Sequence, residues 1–207
     1  MKPLAYNPDF CNTGTNMSFQ NALIAFAFLS LFSSEAGAFD FFRNHGGETA
    51  PGAKEVKIES RAIVAFSPNG EATDVIVDAI RKARRQILVQ AYSFSSKPIL
   101  AALAQAKDRG VDVEVIADKS NDRGKYSGAT YMKNHGVPVW IDDSVHIAHN
   151  KVMIFDGRSV LTGSFNFSAA AQKSNAENIL LVEDSPELAE IYARDWKWRQ
   201  SLSRKFE

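Results

Sequence analysis

His149 and Lys151 set an imidazole and an ammonium two residues apart, and Asp156 completes an H-x-K-x-x-x-x-D pattern across an apolar run. On an extended strand, residues i and i+2 point to the same face. One group of such a pair can attack a phosphorus atom while the other neutralises the phosphate oxygens. Downstream come Gly163-Ser-Phe-Asn-Phe-Ser168 and then Glu177. Ser164 and Asn166 repeat the two-residue spacing and offer neutral donors. A place between a strand end and a helix start would add backbone N–H groups suited to an anion. A carboxylate such as Glu177 can accept a hydrogen bond from the second nitrogen of the His149 ring and fix its tautomer.

Together these groups could cleave a phosphodiester without a metal. That chemistry needs a nucleophile, donors that hold the developing charge, and an acid for the leaving oxygen. A neutral imidazole nitrogen would attack to give a phosphohistidine, which water then hydrolyses. Lys151 supplies a charge that pH does not remove near neutrality. Asp156 is counted with the catalytic candidates, but it opens an Asp-Gly turn and competes for the role of turn former and hydrogen-bond anchor. H-x-K alone is common by chance; the compound pattern carries the weight. Asp142, Asp143, His146 and His149 are metal-ligand types. However, an H-x-x-H spacing does not put both imidazoles on one strand face, and no helical H-E-x-x-H is present. No metal and no other cofactor is expected.

The chain has 207 residues, with 24 basic and 24 acidic side chains. That length suggests one domain plus extras. The balanced charge excludes a charge-dominated binder but not an enzyme with a local basic cleft. Residues 22–32 form an apolar run that fits a secretory signal, and Ala36-Gly37-Ala38 is an A-x-A-like cleavage site, making residues 1–38 the signal segment. Cys11, the single cysteine, lies upstream of that site. The mature chain would then lack thiols, compatible with a periplasmic or secreted location. Residues 39–57 read as an arm or linker. Across residues 58–207, strand and helix signals alternate. Strands are expected at 61–66, 87–94, 111–117, 137–141, 152–155, 160–162 and 178–182, and helices at 72–83, 96–110, 129–134, 166–173 and 186–202. Asp156-Gly157 marks a hairpin. This is an α/β domain with a mixed β-sheet flanked by helices on both faces.

The segment His149 to Asp156 with Gly163 to Ser168 resembles the HKD motif of the phospholipase D superfamily. Ile147 to Gly157 and Asn175-Ala-Glu-Asn178 are similar to its small bacterial endonuclease branch, the Nuc-type nucleases. The resemblance covers Ile58 to about Trp198. It implies a phospholipase D-like fold in one domain, with His149 as nucleophile and Lys151 binding phosphate. Ser164 and Asn166 would complete the phosphate pocket, Glu177 would orient the histidine, and no divalent metal would be required. Family chemistry uses two histidines, one attacking and one protonating the leaving group. Of the four histidines here, only His149 is followed two residues later by lysine; His45, His135 and His146 are not. A homodimer with a shared active site is therefore expected. The expected substrate is DNA, or RNA, cut with little sequence specificity because phosphate contacts carry none. Two alternatives stay open: a lipid phosphodiesterase or phosphatidyl transferase, and a non-catalytic nucleic-acid-binding module. The chain lacks an obvious basic amphipathic helix for membrane docking, so no lasting membrane anchor is expected once the signal is removed. Two basic groups, Arg81-Lys82 with Arg84-Arg85 and Lys119 with Arg123 and Lys125, either grip phosphates or are simply solvated.

Overall fold

A computed structural model describes residues 52–122, 124 and 127–207. The proposed signal segment, Cys11, His45, most of the arm, and Arg123 and Lys125 lie outside the described residues. Residues 52–57 of the arm form neither helix nor strand.

The elements are β1 (Ala62–Ser67), α1 (Ala72–Lys82), β2 (Gln86–Ala91), α2 (Lys97–Asp108), β3 (Asp112–Asp118), α3 (Gly128–Asn134), β4 (Val139–Asp142), β5 (Lys151–Phe155), β6 (Ser159–Gly163), α4 (Ala169–Lys173), β7 (Glu177–Val182), α5 (Pro186–Leu202) and β8 (Arg204–Lys205). They build one eight-stranded sheet in the order β1-β7-β6-β5-β2-β3-β4-β8. The pairs β2–β3 and β3–β4 are parallel, and their crossovers carry α2 and α3. The remaining pairs are antiparallel. The mixed sheet expected from the alternating signals is present.

Alternation along the strands divides the core in two. Ile87, Val89, Val113, Val115, Met153 and Leu181 face one way and pack under α1, α2 and α3, which bury Ile76, Ile80, Ile99, Leu103 and Met132. Leu88, Ile116, Val152, Ile154 and Val160 face the other way and meet Ala189 and Trp196 of α5. Burying each such large side chain contributes about 1.5–3 kcal/mol. Strands covered on both faces read as continuous apolar runs, which is why β2 and β5 show no polar alternation in sequence. The Trp196 indole donates to the Val89 carbonyl at 3.0 Å, so α5 is tied to a central strand as well as packed on it. On the α5 side, β1 and β7 keep Val64, Phe66 and Leu180 exposed. Among the described residues, no helix is long and apolar enough to cross a membrane.

Two elements depart from the sequence expectation. The helix expected at 166–173 starts only at Ala169, after Ser168, whose hydroxyl accepts from the Ala171 N–H. Phe167 stays outside the helix because it bridges Phe94, and its carbonyl takes both the Ser95 and Ser96 N–H groups at 2.8 Å. Tertiary pairing outweighs local helix preference here. The short strand β8 was not expected. It returns from α5 to pair with β4, and the Arg204 guanidinium bonds Asp143 and Asp122.

Candidate active site

The register brings the proposed site residues to one end of the sheet. Lys151 opens β5 opposite Ala91, the last residue of β2, while Glu177 opens β7 opposite Ser67 at the end of β1. Gly163 closes β6 opposite Ile179. This end lies outside the carboxyl ends of the parallel strands β2 and β3, where open α/β sheets place their ligands.

His149 lies just before β5, in an irregular segment, rather than on the strand. Its backbone is nevertheless fixed on both sides. The Ala148 N–H donates to Asp118 Oδ2 at 2.8 Å, and the Tyr92 N–H donates to the Asn150 carbonyl at 2.9 Å. The Tyr92 ring lies 4.5 Å from the His149 ring, tilted by 49°. The imidazole itself is exposed. Beneath it Lys151 is only 6% exposed. Its Nζ sits 3.0 Å from His149 Nδ1, donates to the His149 carbonyl at 2.8 Å, and lies 5.1 Å from the Tyr92 ring centroid. Burial pushes the Lys151 ammonium below the usual lysine range, and the Glu177 carboxylate opposes that shift. The ammonium is held by a carbonyl, a ring nitrogen and an aromatic face, which are contacts a phosphate can replace with a stronger one.

Gly163 explains how the second half of the site is built. Its φ is +154°, and a Cβ there would lie 2.2 Å from the Asn178 carbonyl oxygen. Only glycine lets β6 and β7 approach this closely. The Ser164 and Phe165 N–H groups then both reach the Asn178 carbonyl, at 3.1 and 3.3 Å. Ser164 Oγ accepts from the Asn178 N–H at 3.1 Å, which leaves its hydroxyl proton available for a phosphate oxygen. Asn166 Oδ1 is buried with no partner. Such an orphan acceptor costs about 1–3 kcal/mol. Rotated by half a turn, the same amide presents its N–H groups instead.

Glu177 accepts from Asn175 Nδ2 at 3.0 Å, and its charge acts on Lys151. The hydrogen bond expected from the His149 ring to Glu177 is not formed within the chain, because Lys151 occupies Nδ1. β6 stands between the strands that carry the two residues, so two strand spacings, about 9–10 Å, separate their backbones.

Asp156 is a correction. It follows the last residue of β5, about 17 Å along the strand from Lys151. Its φ of +55° and the +67° of Gly157 match the left-handed pair a type I′ turn requires. Its carboxylate takes the backbone N–H groups of Arg84 at 3.0 Å, Arg85 at 2.7 Å and Gln86 at 3.0 Å. Partial burial pushes the carboxyl up, but these donors and the Arg85 charge outweigh it and hold it below the usual range. Asp156 is thus an anchor for the α1–β2 connection. Asp156→Ala should lower stability by about 2 kcal/mol, since the donors lose a charged acceptor. Melting would fall by roughly 5 °C, while turnover of the folded enzyme stays within about twofold of wild type. A thermal melt paired with an activity assay checks both.

The first basic group, Arg81 to Arg85, lies at the Asp156 end of the sheet and does not border the site. Lys119 does sit at the site end, just after β3, and its Nζ donates to the Val145 carbonyl at 3.1 Å. His135 caps α3, with Nδ1 at 2.8 Å from the Tyr131 carbonyl. Asp142 is buried and paired with Arg199 at 3.2 Å. Among the described residues, no group of three or more His, Cys, Asp or Glu side chains is placed to hold a metal. Sequence reasoning missed Tyr92 and Asp118. The available signal was position: both lie at the carboxyl ends of parallel strands.

The fold, this group of residues and the chain's relatives define a phosphodiester hydrolase. A family model described as "Cardiolipin synthase, PLD-like domain" matches residues 76–199. A protein named phospholipase D from Rickettsia bellii is 44% identical over 146 residues, covering 70% of either chain. The mitochondrial cardiolipin hydrolase of Xenopus tropicalis is 36% identical over 105 residues, 50% of this chain and 49% of that one. The crystal structure of Nuc from Salmonella typhimurium, a phospholipase D family member, matches with a TM-score of 0.69 and 38% identity, over 72% of this chain and 99% of Nuc. The chain belongs to the phospholipase D superfamily, and its Nuc-type branch fits.

Proposed function

We propose that the protein is a metal-independent endonuclease that cuts DNA, and RNA by the same chemistry, through a covalent phosphohistidine. The observation that carries this is the exposed His149 ring on a doubly anchored backbone, directly above a buried ammonium. In the first step a His149 ring nitrogen forms a bond to phosphorus, and the P–O bond to the leaving oxygen breaks. Lys151, Ser164 and Asn166 hold the non-bridging oxygens. Water then attacks the phosphohistidine, and the ring is released with its electron pair. The resemblance of residues 147–157 and 175–178 to the Nuc-type endonuclease branch, with near-complete coverage of Nuc, supports the nucleic-acid reading. The lipid reading stays second because relatives are named phospholipase D and cardiolipin hydrolase.

The leaving oxygen needs a proton. Among the described residues, no other histidine stacks on or hydrogen-bonds with His149. We therefore place the acid in a second copy, with the two His149 rings meeting across a two-fold axis. Export to the periplasm or medium is part of the same proposal and rests on the residue 22–38 pattern.

Plasmid nicking in excess EDTA tests the function, beside hydrolysis of phosphatidylcholine and cardiolipin vesicles. Plasmid cleavage should persist in EDTA and exceed vesicle hydrolysis. Loss in EDTA with rescue by zinc or magnesium, or faster turnover of vesicles, would overturn the proposal.

A further inference from the structure

Between α2 and α3 lies a groove of about 650 Å³, lined by Ser95, Lys97, Leu100, Ala101, Thr130 and Tyr131 among others. Ligand clefts commonly hold about 300–1,000 Å³, so it is a full-sized cleft. Gly128 shapes it: a Cβ there would lie 2.0 Å from the Phe94 carbonyl oxygen, so the start of α3 is pressed against the segment leading into α2.

Tyr131 is a prepared platform. Its ring stacks on His135, with centroids 4.2 Å apart and planes at 29°, and His135 Nδ1 is in turn 2.8 Å from the Tyr131 carbonyl. A braced aromatic ring loses little freedom when a flat partner lands on it. Leu100 and Ala101 give an apolar wall, while Ser95, Thr130 and the exposed Lys97 add polar atoms. A nucleobase, with two apolar faces and a polar edge, matches that mixture. An acyl chain would make no use of these polar atoms, whereas a base can bond them through its edge.

One stretch of chain links the groove to the phosphate site. The Tyr92 ring lies tilted against the His149 ring, the Ser95 and Ser96 N–H groups bind the Phe167 carbonyl next to Asn166 in the chain, and Lys97 lines the groove. One segment, Tyr92 to Lys97, therefore borders both, and it spans at most about 17 Å.

We propose that this groove is a subsite for an unpaired base of the strand being cut, stacked on Tyr131 and reached from the scissile phosphate along Tyr92–Lys97. It rests on the nucleic-acid reading above. It also makes single-stranded substrates better than duplexes, since a paired base cannot enter.

The test is steady-state cleavage by the full chain of a single-stranded oligodeoxynucleotide and of an abasic oligonucleotide of equal length. Tyr131→Ala should raise KM on the first about tenfold, with kcat within about twofold, and leave the abasic substrate unchanged. Tyr131→Phe, which keeps the platform, should behave as wild type. Ala101→Phe, which fills the groove, should mimic Tyr131→Ala. An equal rise on the abasic substrate would overturn the subsite. So would a loss confined to cardiolipin or phosphatidylcholine vesicles, which points to an acyl chain. A drop in assembly mass by sedimentation would overturn it too, placing a second copy there. If wild type cuts no oligonucleotide, the endonuclease reading itself fails. If wild type cuts normally and Tyr131→Ala is indifferent, only the groove is lost.

Discussion

Alanine in place of His149 should reduce plasmid cleavage by about four orders of magnitude or more, because the proposed mechanism assigns the covalent intermediate to this ring. Stability should barely change. The ring is exposed, and its neighbours are anchored through Ala148 and Asn150 backbone groups that the substitution leaves intact. Wild-type enzyme stopped in mid-turnover on phosphate-labelled DNA should carry an acid-labile label, and the variant none. The shared site adds a sharper expectation. In a mixed dimer of wild-type and His149→Ala chains, one ring cannot both attack and protonate the leaving oxygen. Such mixed dimers should be nearly as slow as the double variant. Half of wild-type activity in purified mixed dimers would show two independent sites and sink the shared-site proposal.

Much of this architecture could be read from the residues because local and tertiary preferences agree. The period in Ala72–Lys82 and the apolar runs of β2 and β5 are each satisfied by the layer they meet. Agreement failed where a tertiary contact set the backbone. Asn166 and Phe167 were read as helix, yet the Phe94 bridge and the two N–H groups on the Phe167 carbonyl keep them out of it. Spacing also misled at Asp156. The motif is written as one string, but a five-residue strand carries its last member to the opposite end of the sheet. There its carboxylate caps backbone N–H groups, the role the Asp-Gly turn had offered as the alternative.

The i, i+2 argument for His149 and Lys151 reached the right proximity by a partly wrong route. His149 is off the strand, and the two side chains meet because Tyr92 and Asp118 pin the segment before β5. Neither residue is near His149 in sequence, so only strand order could have brought them forward. Within one chain, Glu177 makes no hydrogen bond to the His149 ring. The antiparallel run β5-β6-β7, whose first hairpin Asp156-Gly157 marks in the sequence, sets β6 between the two residues and leaves the carboxylate acting on the lysine.

Lys151→Met should separate catalysis from stability. A buried ammonium loses hydration, and its partners here are one carbonyl, one ring nitrogen and an aromatic face. Methionine fills similar space without a charge, so melting should hold or rise, while kcat falls about 10²–10³-fold as the phosphate loses its cation. The pH dependence follows from the lowered pKa. Below the folded-state pKa, lysine is charged in both folded and unfolded chains, and the folded one bears the desolvation cost. Between the folded pKa and the unfolded value near 10.4, the unfolded chain binds more protons, so stability rises with pH. Wild type should therefore gain on Lys151→Met in that alkaline window. Activity should move the other way, falling as Lys151 loses its proton, at a pH below that of an ordinary lysine. Glu177→Gln removes the charge that supports the ammonium and should shift this alkaline limb further down. An alkaline limb at the ordinary lysine value, or a Lys151→Met variant that melts several degrees lower, would mean that the lysine is held as a structural partner rather than kept exchangeable for phosphate.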